Sequence, residues 1–92
     1  MGNMMLEFAL GAGRYAVISA AGLMSGEQLA VEYLACADCE NSYWIPYSPC
    51  GEPILIDEYY NPVTVATAGR YRVMSLGVRS KTAKVCHAIY EE

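Results

Sequence analysis

The feature that most constrains this chain is a series of short runs in which apolar and polar residues alternate. The runs cover residues 28–35, 42–47, 53–57, 62–66 and 70–76. They follow one another at roughly the 8–12-residue spacing typical of a small β-sandwich, and turn residues separate them. A period of two places alternate side chains on opposite faces of a strand. The segment therefore predicts successive strands and not helices.

Three further runs with the same alternation lie outside this segment, at residues 5–10, 14–20 and 83–90. Gly11 and Gly13 separate the first two of these runs and predict a tight hairpin that uses positive φ. The chain shows no linker and no internal repeat. We therefore predict an all-β fold, an antiparallel β-sandwich of seven to eight short strands that forms a single domain over residues 1–92.

The composition points to an interaction surface. Hydrophobic residues make up 54% of the 92 residues and charged residues only 17%, against a usual charged share of about a quarter. A domain of this size has one modest core, so part of its apolar surface is expected to contact a partner. The eight tyrosines favour the same interpretation, although strands are rich in aromatic residues in any case.

Charge and hydropathy exclude two classes of partner. The formal net charge is −4 with six basic residues, and no basic stripe interleaves with aromatic residues, so we expect no nucleic acid. A local basic cluster, which could meet an acidic neighbour in an assembly, consists of Arg70, Arg72, Arg79, Lys81 and Lys84. No apolar run reaches the length of a membrane span, and the first residues lack the pattern of a signal peptide. We therefore expect no membrane association and synthesis in a reducing cytoplasm.

Four cysteines raise the hypothesis of a metal site. Cys36 and Cys39 have chelating spacing, and Cys50 with Cys86 or His87 could complete a tetrahedral zinc site. However, a strand about 17 Å long is expected between the first pair and Cys50. Reduced thiols without metal are the leading interpretation, ahead of a disulfide between Cys36 and Cys39.

No set of residues indicates catalysis. His87 is the only histidine, and its neighbour Cys86 would point to the opposite face of a strand, so the two cannot easily pair as nucleophile and base. Asp57 and Glu58 lie in a predicted turn without an apolar pocket that would raise a pKa. We predict no catalytic residue, no cofactor and no enzymatic activity.

The core and interaction candidates are aromatic. Trp44 is predicted to join the two sheets together with Tyr71 and Val73, because their runs alternate most regularly. Pro46 lacks an amide hydrogen, so the 42–47 strand is expected at a sheet edge or to end early. The alternative role for Trp44 is an exposed stacking platform, shared with other aromatic residues, namely Tyr43, Tyr47, Tyr59 and Tyr60.

The order of these segments resembles a known class of module. A turn at 21–27, a strand at 29–33, the Trp44 strand, a short strand at 53–56 and the Gly-x-Tyr-Arg strand at 69–73 are similar to the small β-sandwich modules of tailed-bacteriophage virion proteins. The similarity covers residues 11–77. In the hairpin at 39–41, Cys-Glu-Asn stands where those modules commonly have Asp-Gly.

This resemblance implies a structural virion protein, made in the host cytoplasm, that decorates or cements the capsid or forms a minor capsid component. Its implied partners are copies of itself and other capsid or tail proteins. The alternative is a fibre or tail module that binds a receptor or carbohydrate. A small metal-binding protein that uses the cysteines is the less favoured reading.

Overall fold

The computed structural model describes residues 4–35, 42–76 and 83–91, and within these ranges the chain forms strands and no helix. The strands are β1 (Met4–Leu10), β2 (Arg14–Ala21), β3 (Gln28–Ala35), β4 (Tyr43–Pro46), β5 (Leu55–Ile56), β6 (Val63–Val65), β7 (Gly69–Leu76) and β8 (Lys84–Glu91). Every pairing between them is antiparallel. The predicted all-β sandwich is thus confirmed. The described part of the chain has no helix that could cross a membrane.

The strands form two packed sheets. Sheet A has the order β1-β7-β3-β4, with β5 also paired to β3, and sheet B has the order β6-β2-β8. The strands β4 and β5 lie one after the other along the same edge of β3, because β4 pairs with its second half and β5 with its first. The edge position of β4 and its end at Pro46 agree with the missing amide hydrogen of proline.

The turn at Gly11 and Gly13 does not close a hairpin, so that prediction is wrong. The strand before it, β1, pairs with β7, whereas β2 pairs with β6 and β8. Gly13 does adopt a positive φ of 75°, as the turn requires. The turn carries the chain from sheet A to sheet B, because the apolar faces of β1 and β2 pack against each other across the core.

The core lies between the sheets and is built from alternate residues of the long strands. In β7, Tyr71 and Val73 are fully buried, whereas Arg70 and Arg72 point to the outer face of sheet A. The buried apolar residues are Phe8, Leu10, Ala16, Ile18, Ala20, Leu29, Val31, Tyr47, Ile56, Val65, Tyr71 and Val73. The period-two pattern of the sequence therefore selects the core.

Three tyrosines hold the connection between β6 and β7, where the chain crosses from sheet B to sheet A. The hydroxyl of Tyr33 donates to the carbonyl oxygen of Ala68 at 2.6 Å, and that of Tyr71 donates to the carbonyl oxygen of Thr67. The hydroxyl of Tyr47 lies 2.8 Å from Oγ1 of Thr67. The three ring centroids are 5.1 to 6.0 Å apart. We call this group the tyrosine clamp, and its Tyr71 bond to the backbone upstream has the form of a tyrosine corner.

Burial is the main cause that raises the pKa of Tyr71 above the ordinary value of 10.0, and the hydrogen bond with Tyr47 raises it further. The phenol therefore stays protonated over the physiological range. It can then act as the donor to the Thr67 carbonyl oxygen, which accepts but cannot donate.

The tyrosine clamp also requires a glycine at the first residue of β7. Gly69 has a φ of 146°, and a Cβ atom at this position would come within 2.5 Å of Cε1 of Tyr33. The Tyr33 ring thus lies directly on the backbone of Gly69. Any larger residue would push the ring away and break its bond to Ala68.

We expect Gly69→Ala to lower the free energy of unfolding by about 2–5 kcal/mol, because backbone strain and overpacking add. Gly51→Ala is the matched control: Gly51 has a φ of 88° but nothing within 4 Å of a built Cβ, so it is expected to lose only about 1–2 kcal/mol. Urea melts of both variants measure the difference. Equal losses would contradict the proposed contact with Tyr33.

Alkaline pH should destabilise the fold through Tyr71. Its pKa is raised in the folded state, so the unfolded chain loses this proton first and stability falls as pH rises above about 10, by about 1.4 kcal/mol per pH unit for one proton. The same stability is fully present below that pH. Tyr71→Phe should reduce this slope in melts recorded between pH 9 and roughly pH 11, whereas Tyr59→Phe, at an exposed position, should leave it unchanged. An unaltered slope in Tyr71→Phe would refute the assignment.

Candidate interaction surface

The strand β8 forms one edge of sheet B and presents different residues to its two sides. Its pairing with β2 sets Ile89 opposite Ala16 and His87 opposite Ile18, so these two β8 side chains point toward sheet A. Cys86 and Tyr90 point to the outer side. This division is the one that the alternation at residues 83–90 predicts.

The inward side of β8 is covered by sheet A only in part. Val85 packs against the core, and the ring of His87 lies 4.5 Å from the ring of Phe8 of β1 between centroids. Ala16 and Ile18 of β2 are fully buried, yet Ile89 beside Ala16 keeps 39% of its surface exposed. Sheet A therefore leaves the Ile89 end of β8 uncovered, and we call this partly covered strand the overhang.

The outer side of sheet B is nearly free of charge. Tyr15 stacks on Tyr90 with 5.3 Å between the ring centroids, and Tyr90 is 48% exposed. The other described residues on this side are Val17, Ser19, Ala21, Thr64, Lys84, Cys86 and Ala88, of which Lys84 alone is charged. We call this surface the sheet B face. A sheet face with one charge is typical of a surface that contacts a partner and not of a solvated one.

Among the residues that the structure describes, no strand pairs with the outer edge of β8. In the described part of the chain β8 pairs only with β2, and it contains no proline. Its charged residues are Lys84 and Glu91 at its two ends, and Glu91 lies 3.6 Å from Arg14. Long edge strands without central charges or proline are templates for pairing with another strand.

A second surface lies on the opposite side of the sandwich, between β5 and β6. It is an open groove of about 690 Å³, and the residues that line it include Leu55, Val63, Asp57 and Tyr60. Tyr59 and Tyr60 are 81% and 69% exposed. Oδ1 of Asp57 accepts hydrogen bonds from both of their amides at 2.8 and 2.9 Å. The loop that carries these rings is thus held in one conformation.

The aromatic residues predicted as one stacking platform do not form one. Tyr43 pairs with Ala35 at the last residue of β3, whereas Tyr59 lies near Gln28 at its first residue, about 23 Å away along the strand. Tyr47 is 8% exposed and belongs to the tyrosine clamp. Only Tyr59 and Tyr60 remain together as an exposed pair.

Trp44 does not join the two sheets, so this prediction is wrong. It lies opposite Leu34 on the outer side of sheet A, where the guanidinium carbon of Arg72 is 4.5 Å from the ring centroid. Arg72 in turn donates from Nε to Glu32 at 2.5 Å. The aromatic residue that enters the core from this segment is Tyr47, because the chain turns inward after Pro46 and its amide bonds to Val31.

The predicted basic cluster is divided between the two sheets. Arg70 binds Glu7 at 2.7 Å and Arg72 binds Glu32, so these two charges are neutralised on sheet A. Lys84 lies on the sheet B face. The remaining members, Arg79 and Lys81, lie outside the described residues. The hairpin predicted at residues 39–41 also lies outside them.

The cysteines fall in separate parts of the chain. Cys50 follows β4 and Cys86 lies on β8, and both are exposed free thiols. Cys36 and Cys39 lie outside the described residues. Among the residues that are described, no three histidine, cysteine, aspartate or glutamate side chains form a group that could hold a metal ion.

Comparisons with protein-family models, with curated proteins and with solved structures gave no match to this chain. The described surfaces that are open to a partner are the β8 strand, the sheet B face and the groove. Sequence reasoning did not single out Ile89, Tyr90 or Tyr15. One signal in the sequence could have identified them: within residues 84–91, apolar residues stand at both odd and even positions. A strand with one face in water would have polar residues at one of these two sets.

The outer position of Trp44 has a measurable consequence. We expect Trp44→Ala to lower the free energy of unfolding by about 1–2 kcal/mol, from a partly exposed cation–π contact and half-buried apolar surface. Phe8→Ala, which empties a buried core position, should cost about 3–5 kcal/mol. Chemical melts of both variants compare the two. If Trp44→Ala lowered the free energy of unfolding as much as Phe8→Ala, Trp44 would have to be a core residue, which would contradict its outer position.

Proposed function

We propose that this chain is a non-enzymatic structural subunit that works by assembling with copies of itself, as a capsid decoration, cement or minor capsid component of a tailed-phage virion. The observation that carries the proposal is the overhang of β8. Ile89 and Tyr90 point to opposite sides of this strand and keep 39% and 48% of their surface exposed. The sandwich thus offers an edge strand that its own core covers only in part.

Assembly is the outcome that this surface favours. Burial of apolar surface stabilises a complex by about 25 cal/mol per Å² before the cost of association is counted. The β8 edge also has backbone N–H and C=O groups that can pair with another strand. Such hydrogen bonds fix the orientation and register of a contact, which burial of apolar surface alone would not do. A subunit with these two properties is suited to repeated, ordered contacts.

The virion context rests on the sequence resemblance over residues 11–77. The modules that the chain resembles are structural and carry no catalytic site. The sheet B face has a single charge among its described residues, and such a face is best placed where a neighbour covers it. We therefore place the chain between copies of itself or against the shell of the particle.

A second candidate function, a receptor- or carbohydrate-binding module of a tail or fibre, is favoured by the groove beside Tyr60. The exposed rings of Tyr59 and Tyr60 lie on a loop with fixed backbone bonds, and planar rings of this kind can stack on the apolar face of a sugar. Binding of the chain to a glycan array, lost in Tyr59→Ala, would support this candidate. The folded variant Trp44→Ala is the control that should retain binding.

We expect the full chain to self-associate reversibly in sedimentation velocity runs over a hundredfold range of concentration. Tyr90→Lys should weaken the association at least tenfold, because Lys84, the other described charge on the sheet B face, has the same sign and the added charge would be buried without an opposite charge. Tyr60→Lys is the matched control: it makes the same change at an exposed position in the groove and should leave the association unchanged. Circular dichroism checks that both variants fold.

The virion role has a separate test. Virus particles should be purified on a density gradient from host cells in which the gene for this chain is expressed naturally. These particles should contain the chain in many copies, as measured by mass spectrometry and by electron microscopy of the particle surface. A chain that stays monomeric at every concentration and is missing from such particles would overturn the proposed function.

A further inference from the structure

The open edge of β8 identifies a specific partner and a specific pairing. We propose that two copies of the chain pair β8 with β8 in antiparallel orientation about a twofold axis, with His87 opposite the partner's His87. The inference rests on the proposed self-assembly. The result is one continuous six-stranded sheet in the order β6-β2-β8 followed by the same three strands of the partner, reversed.

The overhang gives the second copy room to approach. Sheet A buries Ala16 and Ile18 of β2 but leaves Ile89 of β8 39% exposed, so its last strand, β1, does not cover the Ile89 end of β8. A strand that adds to this edge extends sheet B in its own plane. It also places cross-strand neighbours beside Ile89 on the inward face, where the monomer leaves that side chain partly exposed.

The alternation of the strand restricts the possible registers. Residues directly opposite each other in an antiparallel pair point to the same face of the sheet, and a twofold axis perpendicular to the sheet keeps the inward face of one copy continuous with that of the other. A residue can therefore lie opposite only a residue of the same parity. The registers that pair most of β8 place residue 87 or 88 opposite its own copy, and those centred on residue 86 or 89 pair only five of its residues.

Cross-strand chemistry selects the register centred on His87. It sets Val85 opposite the partner's Ile89 on the inward face and Cys86 opposite the partner's Ala88 on the sheet B face, so apolar and small residues match. The register centred on residue 88 would set Val85 opposite the partner's charged Glu91. The register centred on residue 86 would leave Ile89 and Tyr90, which the selected register pairs, without cross-strand partners within β8.

Charge supports a second copy as the occupant of this edge. Each chain has a net charge of −4, yet the edge carries one positive residue at its start, Lys84, and one negative residue at its end, Glu91. Antiparallel pairing brings the Lys84 end of one strand beside the acidic end of the other. No like charges lie directly opposite each other in the selected register. A strand of this sequence is thus complementary to itself.

Single-cysteine variants of the full chain can test the pairing and its register. In a background with Cys36→Ser, Cys39→Ser, Cys50→Ser and Cys86→Ser, the variant His87→Cys places one thiol at the predicted centre. Directly opposite residues have Cα atoms about 4.5–5.5 Å apart, within the range that a disulfide bridges. We expect a disulfide-linked dimer under a mild added oxidant, formed at least tenfold faster than by the comparison variants.

Three comparisons make the result specific. The same background carrying only the native Cys86, or only Ala88→Cys, places like thiols about 8 Å apart in the selected register, outside disulfide range. The background carrying only the native Cys50, which is exposed in the loop after β4, reports random collisions. Faster linkage through residue 86 or 88 than through residue 87 would overturn the register.

Amide hydrogen exchange of the unmodified chain tests the β8 pairing even if His87→Cys does not fold. Amide hydrogen exchange at concentrations below and above the association midpoint should show at least tenfold slower exchange for the β8 amides that point away from β2, with no change at the edges β1 and β4. Equal exchange at β8 in a chain that does self-associate would overturn β8 pairing and leave the proposed function standing. A chain that remains monomeric in sedimentation would overturn both.

Discussion

The fold depends on the tyrosine clamp, which fixes the place where the chain crosses from sheet B to sheet A between β6 and β7. The strand β6 has only three residues and pairs with β2 over those three, so its ladder alone cannot determine how the next strand enters the other sheet. The hydroxyls of Tyr33, Tyr47 and Tyr71 bind this connection from three different strands or loops. Because the rings are also part of the core, hydrogen bonding and apolar burial favour the same geometry there.

The sandwich has unequal layers. Among the described residues sheet A has five strands and sheet B three, and the clamp and Gly69 fix the position of β7 between β1 and β3. The coverage that sheet A gives to β2 is complete, as the full burial of Ile18 shows, whereas β8 is covered only in part and Ile89 stays 39% exposed. The overhang that supports the assembly role is therefore a property of how the layers are aligned, and not of β8 by itself.

The two outer faces of the sandwich differ in how they meet solvent. On sheet A, Arg70 and Arg72 are paired with Glu7 and Glu32; partly exposed pairs of this kind contribute little to stability, but they keep the face hydrated. The sheet B face has one charged side chain among its described residues. Since chains with a net charge of −4 repel each other most where their acidic residues lie close together, the side with a single charge is the one on which copies can approach closely.

The sequence by itself determined the strands, their alternation and the edge position of β4, because each depends on residues that are neighbours in the chain: the period of two, the turn residues and the missing amide of Pro46. The tertiary structure alone decided which strands pair, so that the Gly11 turn links two sheets where a hairpin was predicted. It also decided that Tyr47 enters the core while Trp44 stays outside, since both lie in one run and only the inward turn after Pro46 separates them. The exposure of Ile89 was beyond the sequence for the same physical reason: burial depends on which distant strand covers a residue, and a local pattern does not contain that information.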